Sequence, residues 1–182
     1  MPTFVALLRG INVGKAKRVP MAKLRSLLSG LGYTGVGTLL NSGNAVFRAP
    51  SGTPAKHAAN IAAAISTRLK VEVPVIVKSA SELAAILSEN PIEAGADDHS
   101  RFLVAFVQDP KALSSLAAVE PLVVPPERFA LGKNAAYLLC PAGILKSKAW
   151  EALLGKVGKS ATTRNWATVL KLQALANERG PS

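Results

Sequence analysis

The chain has 182 residues, nearly half of them apolar and 18% charged, which supplies a core and argues against disorder over most of its length. One cysteine, Cys140, excludes an internal disulfide and fits a reducing, cytoplasmic setting. The net charge of +11 is segregated: residues 1–71 carry ten Lys/Arg and no acid, residues 72–127 sum to −6, and residues 128–182 sum to +7. An acid-free block cannot neutralise itself, so it favours polyanions or small phosphates as partners.

The opening run Thr3–Arg9 is short and apolar, as a buried strand requires, and too short for a signal peptide or a membrane span. A glycine-containing loop, residues 10–18, follows. Pro20 opens a helix whose apolar residues Met21, Leu24, Leu27, Leu28 and Leu31 share one face, with Lys23 and Arg25 directed elsewhere. Residues 36–40 and 45–48 read as strands around a tight turn at Asn41-Ser42-Gly43-Asn44. Pro54 opens a long helix through Leu69, and residues 71–77, interrupted by Pro74, read as an edge strand.

Ser79 and Glu82 form a capping box ahead of a further helix, and residues 88–100 are polar, acidic and linker-like. The order then repeats. Residues 101–108 form a strand, Asp109-Pro110 caps a helix, and 127–131 with 135–140 form a hairpin. Ser147 caps another helix, residues 161–164 form a last strand, and a final helix carries Trp166, Val169 and Leu170. Two β-α-β-β-α-β units predict an α+β protein of two ferredoxin-like halves, with helices packed on antiparallel sheets. The expected boundaries are 1–78 for the first half, 79–100 for a helix and linker, and 101–182 for the second half.

Several chemistries are poorly supplied. Gly10-Ile-Asn-Val-Gly14-Lys15 has three residues between its glycines where a Walker A loop needs four, and Ala16 stands where the magnesium-binding hydroxyl belongs. His57 and His99 have no sequence neighbour that would make a nucleophile, Ser42 lies outside a nucleophile elbow, and Cys140 ends an apolar strand. No Cys/His spacing calls for a metal, and no motif calls for a cofactor. Phe4, Phe47 and Trp166 are the aromatic residues available to stack on nucleic acid, without an RNP-type strand around them.

Three segments together resemble a known family: Phe4–Gly14, Asn41-Ser42-Gly43-Asn44, and Arg164-Asn165-Trp166 with Val169-Leu170-Lys171-Leu172. They are similar to the bacterial family catalogued as domain of unknown function 1697, whose members usually read Asn-Trp-Asn-Thr where this chain has Ala167 as the third residue. The resemblance implies an α+β fold and a cytoplasmic protein, and brings no activity or cofactor with it.

The polar residues of these segments and the first loop are the candidate ligand contacts: Arg9, Asn12, Lys15, Lys17, Asn41, Ser42, Asn44, Arg164 and Asn165. The leading expectation is a protein that binds nucleic acid or a phosphorylated small molecule through the basic loop. Two alternatives stand beside it. One is a small-molecule enzyme with a cleft between the halves, anchored by Arg9, Asn41, Ser42 and Asn165; the other is a protein-interaction module.

Overall fold

The structure, a computed structural model, describes residues 1–179. The expected second half, 101–182, therefore ends in three residues outside those described. Eight strands and five α-helices are present among the described residues: β1 (Thr3–Leu8), α1 (Met21–Gly30), β2 (Thr34–Leu39), β3 (Asn44–Arg48), α2 (Pro54–Leu69), β4 (Val75–Ser79), α3 (Ala80–Ser88), β5 (Phe102–Val107), β6 (Arg128–Leu131), β7 (Ala135–Leu139), α4 (Lys148–Leu154), β8 (Ala161–Asn165) and α5 (Trp166–Glu178). The strands form two four-stranded antiparallel sheets, ordered β2-β3-β1-β4 and β6-β7-β5-β8. Both are the ferredoxin-like order, so the α+β reading with two similar halves holds.

The chain divides into two compact units, Met1–Leu83 together with the residues from Lys171, and Ala84–Leu170. α5 falls across that division, its residues up to Leu170 with the second unit and those from Lys171 with the first. Its first turn follows directly from β8, whereas Arg179, just past its end, donates from Nη1 to the carbonyl of Val36 in β2 at 3.0 Å.

In the first unit the apolar stripes of α1 (Leu24, Leu27, Leu28) and α2 (Ala58, Ile61, Ile65) cover Phe4, Ala6 and Leu8 of β1, with Phe47 and Val77 beside them. Burying each such large side chain contributes about 1.5–3 kcal/mol. Pro54 sits at the first helical position of α2, where its missing N–H costs nothing, and the Thr53 side chain accepts from Lys56 N as the cap. α2 ends at Lys70, which adopts the left-handed conformation that terminates a helix.

The second core gathers Leu103, Ala105 and Val107 of β5 with Leu138, Leu153 and the 3₁₀ segment Pro110–Leu122 through Leu113, Leu116 and Val119. That segment was expected as an ordinary helix. Asp109 caps it as predicted, its carboxylate accepting from Lys111 N at 3.0 Å. Ser114 and Ser115 then donate to the carbonyls three residues back, and Pro121 lacks an N–H to continue an α-helical ladder.

Two other caps form as the sequence requires. Ser79 and Glu82 bond reciprocally, Ser79 N to Glu82 Oε2 at 2.8 Å and Glu82 N to Ser79 Oγ at 3.1 Å. Ser147 accepts from Trp150 N at 3.1 Å to start α4.

Candidate functional site

The loop between β1 and α1 is held by one side chain. Asn12 adopts a left-handed conformation at φ 56°, which asparagine tolerates better than most residues. Its Nδ2 donates to Val19 O at 2.9 Å and to Asn41 O at 2.7 Å, while its Oδ1 accepts from Val19 N at 2.8 Å. The backbone of the same residue donates to Lys17 O at 3.0 Å, and Val13 bridges Ala16, so residues 13–16 form a miniature hairpin with Gly14 and Lys15 at its tip.

The turn between β2 and β3 lies against the base of this loop. It spans four residues, closed by the Leu39–Asn44 pair. Leu8 N donates to Gly43 O at 2.8 Å. Gly43 has φ +97°, and a Cβ there would lie 2.7 Å from Leu8 Cβ and 3.0 Å from Ile11 Cδ1. Neither the backbone angle nor the space admits another residue. Buried Asn44 donates from Nδ2 to Leu39 O and to Ser42 Oγ, locking the turn from inside.

The structure thus brings Arg9, Asn12, Lys15, Lys17, Asn41, Ser42 and Asn44 to one end of the first sheet. Within that group the roles separate. Asn12 spends its amide on the backbone and Asn44 on Leu39 O and Ser42 Oγ, and both serve as braces. Arg9 is half-buried at the loop's base, with its backbone N donating to Pro74 O at 3.0 Å. Asn41 and Ser42 are exposed on the turn. Lys15, Lys17 and Arg18 are exposed, and among the described residues no carboxylate lies within ion-pairing distance of them.

Arg164 and Asn165, expected beside the ligand, belong to the second unit. Arg164 is 8% exposed, pairs with Val104 across β5 and β8, and donates from Nη1 to Thr163 O at 2.8 Å. Burial pulls its guanidinium down to about 10, which leaves it charged at neutral pH. Asn165 Oδ1 accepts from Thr168 N at 2.9 Å and caps α5. These two residues build the fold. Phe4 and Phe47, weighed as stacking surfaces, are 3% and 0% exposed, and Trp166 stacks on Phe102 with centroids 5.1 Å apart.

His57 and Cys140 are shielded from solvent. His57 is buried against Phe4, Phe47 and Tyr33, its Nδ1 2.8 Å from the Tyr33 hydroxyl and its Nε2 without a hydrogen-bond partner. Burial lowers its pKa, the Ser51 backbone partly offsets this, and the Lys56 charge adds to the lowering. Burial pushes the Cys140 thiol up to about 11, although Ser147 Oγ lies 3.4 Å from the sulfur. Among the described residues no three His, Cys, Asp or Glu side chains gather as metal ligands would, and no helix is long and apolar enough to cross a membrane.

What the fold and site define is a two-unit α+β protein with paired ferredoxin-like sheets and a braced cationic loop at one sheet end. The family described as "Protein of unknown function (DUF1697)" matches residues 1–137, and the chain belongs to that family. The conserved bacterial protein SP0830 from Streptococcus pneumoniae is similar in structure, with a TM-score of 0.80 over 96% of this chain and 98% of that chain. Sequence identity to it is 24%, so the likeness carries the fold. Among curated proteins, none matches the chain.

The exposed hairpin tip escaped the sequence reading in one respect. The glycines and lysines announce a loop, but only the Asn12 amide, bonded 29 residues away, explains why that loop has one shape. An asparagine between two loop glycines was the available signal, since asparagine enters the left-handed region readily.

Proposed function

We propose that the protein binds phosphate-bearing anions, the nucleic-acid backbone foremost, through the loop of residues 10–18. The observation that carries this reading is the pairing of a braced backbone with cations that have no acid to meet among the described residues: Lys15 at the hairpin tip and Lys17 and Arg18 just beyond it all stand exposed. Val13 beside them is 72% exposed, so the loop is a finger and not a pocket wall, and a finger suits an extended polyanion. Arg9 at the base and Asn41 and Ser42 on the adjoining turn supply further polar contacts. A single buried, free thiol at Cys140 fits residence in the bacterial cytoplasm.

The test is fluorescence anisotropy with labelled single- and double-stranded oligonucleotides across a salt series. Three phosphate contacts give a slope of log affinity against log salt of about −2 to −3. Replacing Lys15 and Lys17 by glutamine should flatten that slope by about one per residue. No binding at low salt refutes the reading.

A further inference from the structure

A cleft of about 180 Å³ opens in the first unit where α1 and α2 meet, walled by Lys23, Ser26, Leu27, Arg68 and Leu69. Lys23, Ser26 and Leu27 follow the helical spacing that puts residues three and four apart on one face. Arg68 arrives from the last turn of α2 and lies over Gly30, the final residue of α1. A Cβ at Gly30 would sit 2.7 Å from Arg68 Nη1 and 3.5 Å from Cζ. The φ of Gly30 is not in the left-handed region, so the backbone there accepts any L-residue. What the missing side chain provides is room for the guanidinium.

That guanidinium has no hydrogen-bond or ion-pair partner among the described residues, and the same holds for the Lys23 ammonium and the Ser26 hydroxyl. Glu72, the first carboxylate in the chain, accepts instead from Ser66 Oγ. Two cations and a hydroxyl, all able to donate, therefore surround a small cleft with a leucine floor and no acid in the preceding 71 residues.

We propose that this cleft is a second anion site, separate from the loop, and that it holds the terminal phosphate of a phosphate monoester. Its volume is below the roughly 300–1,000 Å³ of pockets that enclose a whole drug-sized ligand, so it holds a headgroup. A monoester presents three terminal oxygens and close to two negative charges, matching a guanidinium, an ammonium and a hydroxyl. A diester offers one charge and two free oxygens, and its second ester arm must also leave the cleft. Leu27 and Leu69 give the first carbons of the ester an apolar surface.

Isothermal titration of the full chain with inorganic phosphate, butyl phosphate and dimethyl phosphate in low salt reads the site. Butyl phosphate should saturate and bind more tightly than dimethyl phosphate. Arg68→Ala and Lys23→Ala should each weaken it about tenfold. In a background with Lys15, Lys17 and Arg18 all changed to Gln, which removes the loop's own phosphate binding, Arg68→Ala should still weaken butyl phosphate about tenfold, which separates this site from the loop. Gly30→Ala is the decisive variant. It keeps every charge and improves helix propensity, so the midpoint of thermal unfolding should hold or rise while phosphate binding weakens. No saturation at millimolar butyl phosphate overturns the proposal. So does dimethyl phosphate binding as tightly as butyl phosphate, or a loss of binding confined to the loop variant.

Discussion

The side-chain amide of Asn12 and the carbonyl of Asn41 lie 2.7 Å apart, and this bond ties the loop after β1 to the turn between β2 and β3. It adds to the Leu8 N–Gly43 O bond and to the close approach of Ile11 to Gly43, which already bring the two segments together at this end of the sheet. Together with the pair of bonds to Val19, it makes Asn12 the point from which the cationic finger projects.

Asn12→Ala removes three side-chain hydrogen bonds and places alanine at φ 56°. The expected loss is about 4–5 kcal/mol, from about 1 kcal/mol per bond plus a left-handed penalty of about 1–2 kcal/mol. Urea denaturation should show a lower midpoint at unchanged slope, and amides of residues 13–18 should exchange faster. A midpoint equal to the parent's would show that the loop keeps its shape without this brace.

Gly43→Ala combines φ +97° with a Cβ 2.7 Å from that of Leu8, and should destabilise by about 2–4 kcal/mol. The contact is to a short, fully buried side chain that cannot swing away, unlike the far end of Arg68 near Gly30. The two Gly→Ala variants should therefore move the thermal midpoint in different directions.

His57 predicts a sensitivity to acid. Its folded pKa lies below the ordinary value of 6.5, so the unfolded chain takes up the proton more readily than the folded one. The neutral ring's contribution is fully present above about pH 6.5 and is lost as pH falls below that, at up to about 1.4 kcal/mol per pH unit. His57→Phe should flatten the stability profile between pH 6.5 and the acid range, where carboxylate effects begin. A slope equal to the parent's would assign the acid sensitivity to other groups.

Cys140 should resist alkylation. A pKa of about 11 leaves about one thiolate in a thousand at pH 8, and the residue is fully buried. Under native conditions iodoacetamide modification should proceed only as fast as the chain opens, and should accelerate sharply at the urea midpoint. Rapid native modification would contradict the burial.

The element order and caps were legible because their signals are local: the Ser79–Glu82 box, Asp109 before Pro110, and Ser147 ahead of Trp150 each act within three residues. The site was legible only in part. Lys15, Lys17 and Arg18 declare themselves by charge in an acid-free block. Arg164 looks like another such cation in a Thr-Thr-Arg-Asn strand, yet it is buried beside Val104, on the face of β8 opposite the one that Ala161 turns to the second core, and the strand's own pattern does not announce that both faces are covered. The meeting of Arg68 with Gly30 joins residues 38 positions apart, and no local pattern reports it. That Pro110–Leu122 winds as a 3₁₀ and not an α-helix is not registered by the spacing of Leu113 and Leu116, which suits either.

The bond from Arg179 to the carbonyl of Val36 carries a consequence for biosynthesis. The flank of the first unit's outermost strand is covered only once a residue 143 positions further along the chain has been made. Until then β2 offers Val36 to any passing strand, so nascent or C-terminally clipped chains are the ones exposed to edge-to-edge association.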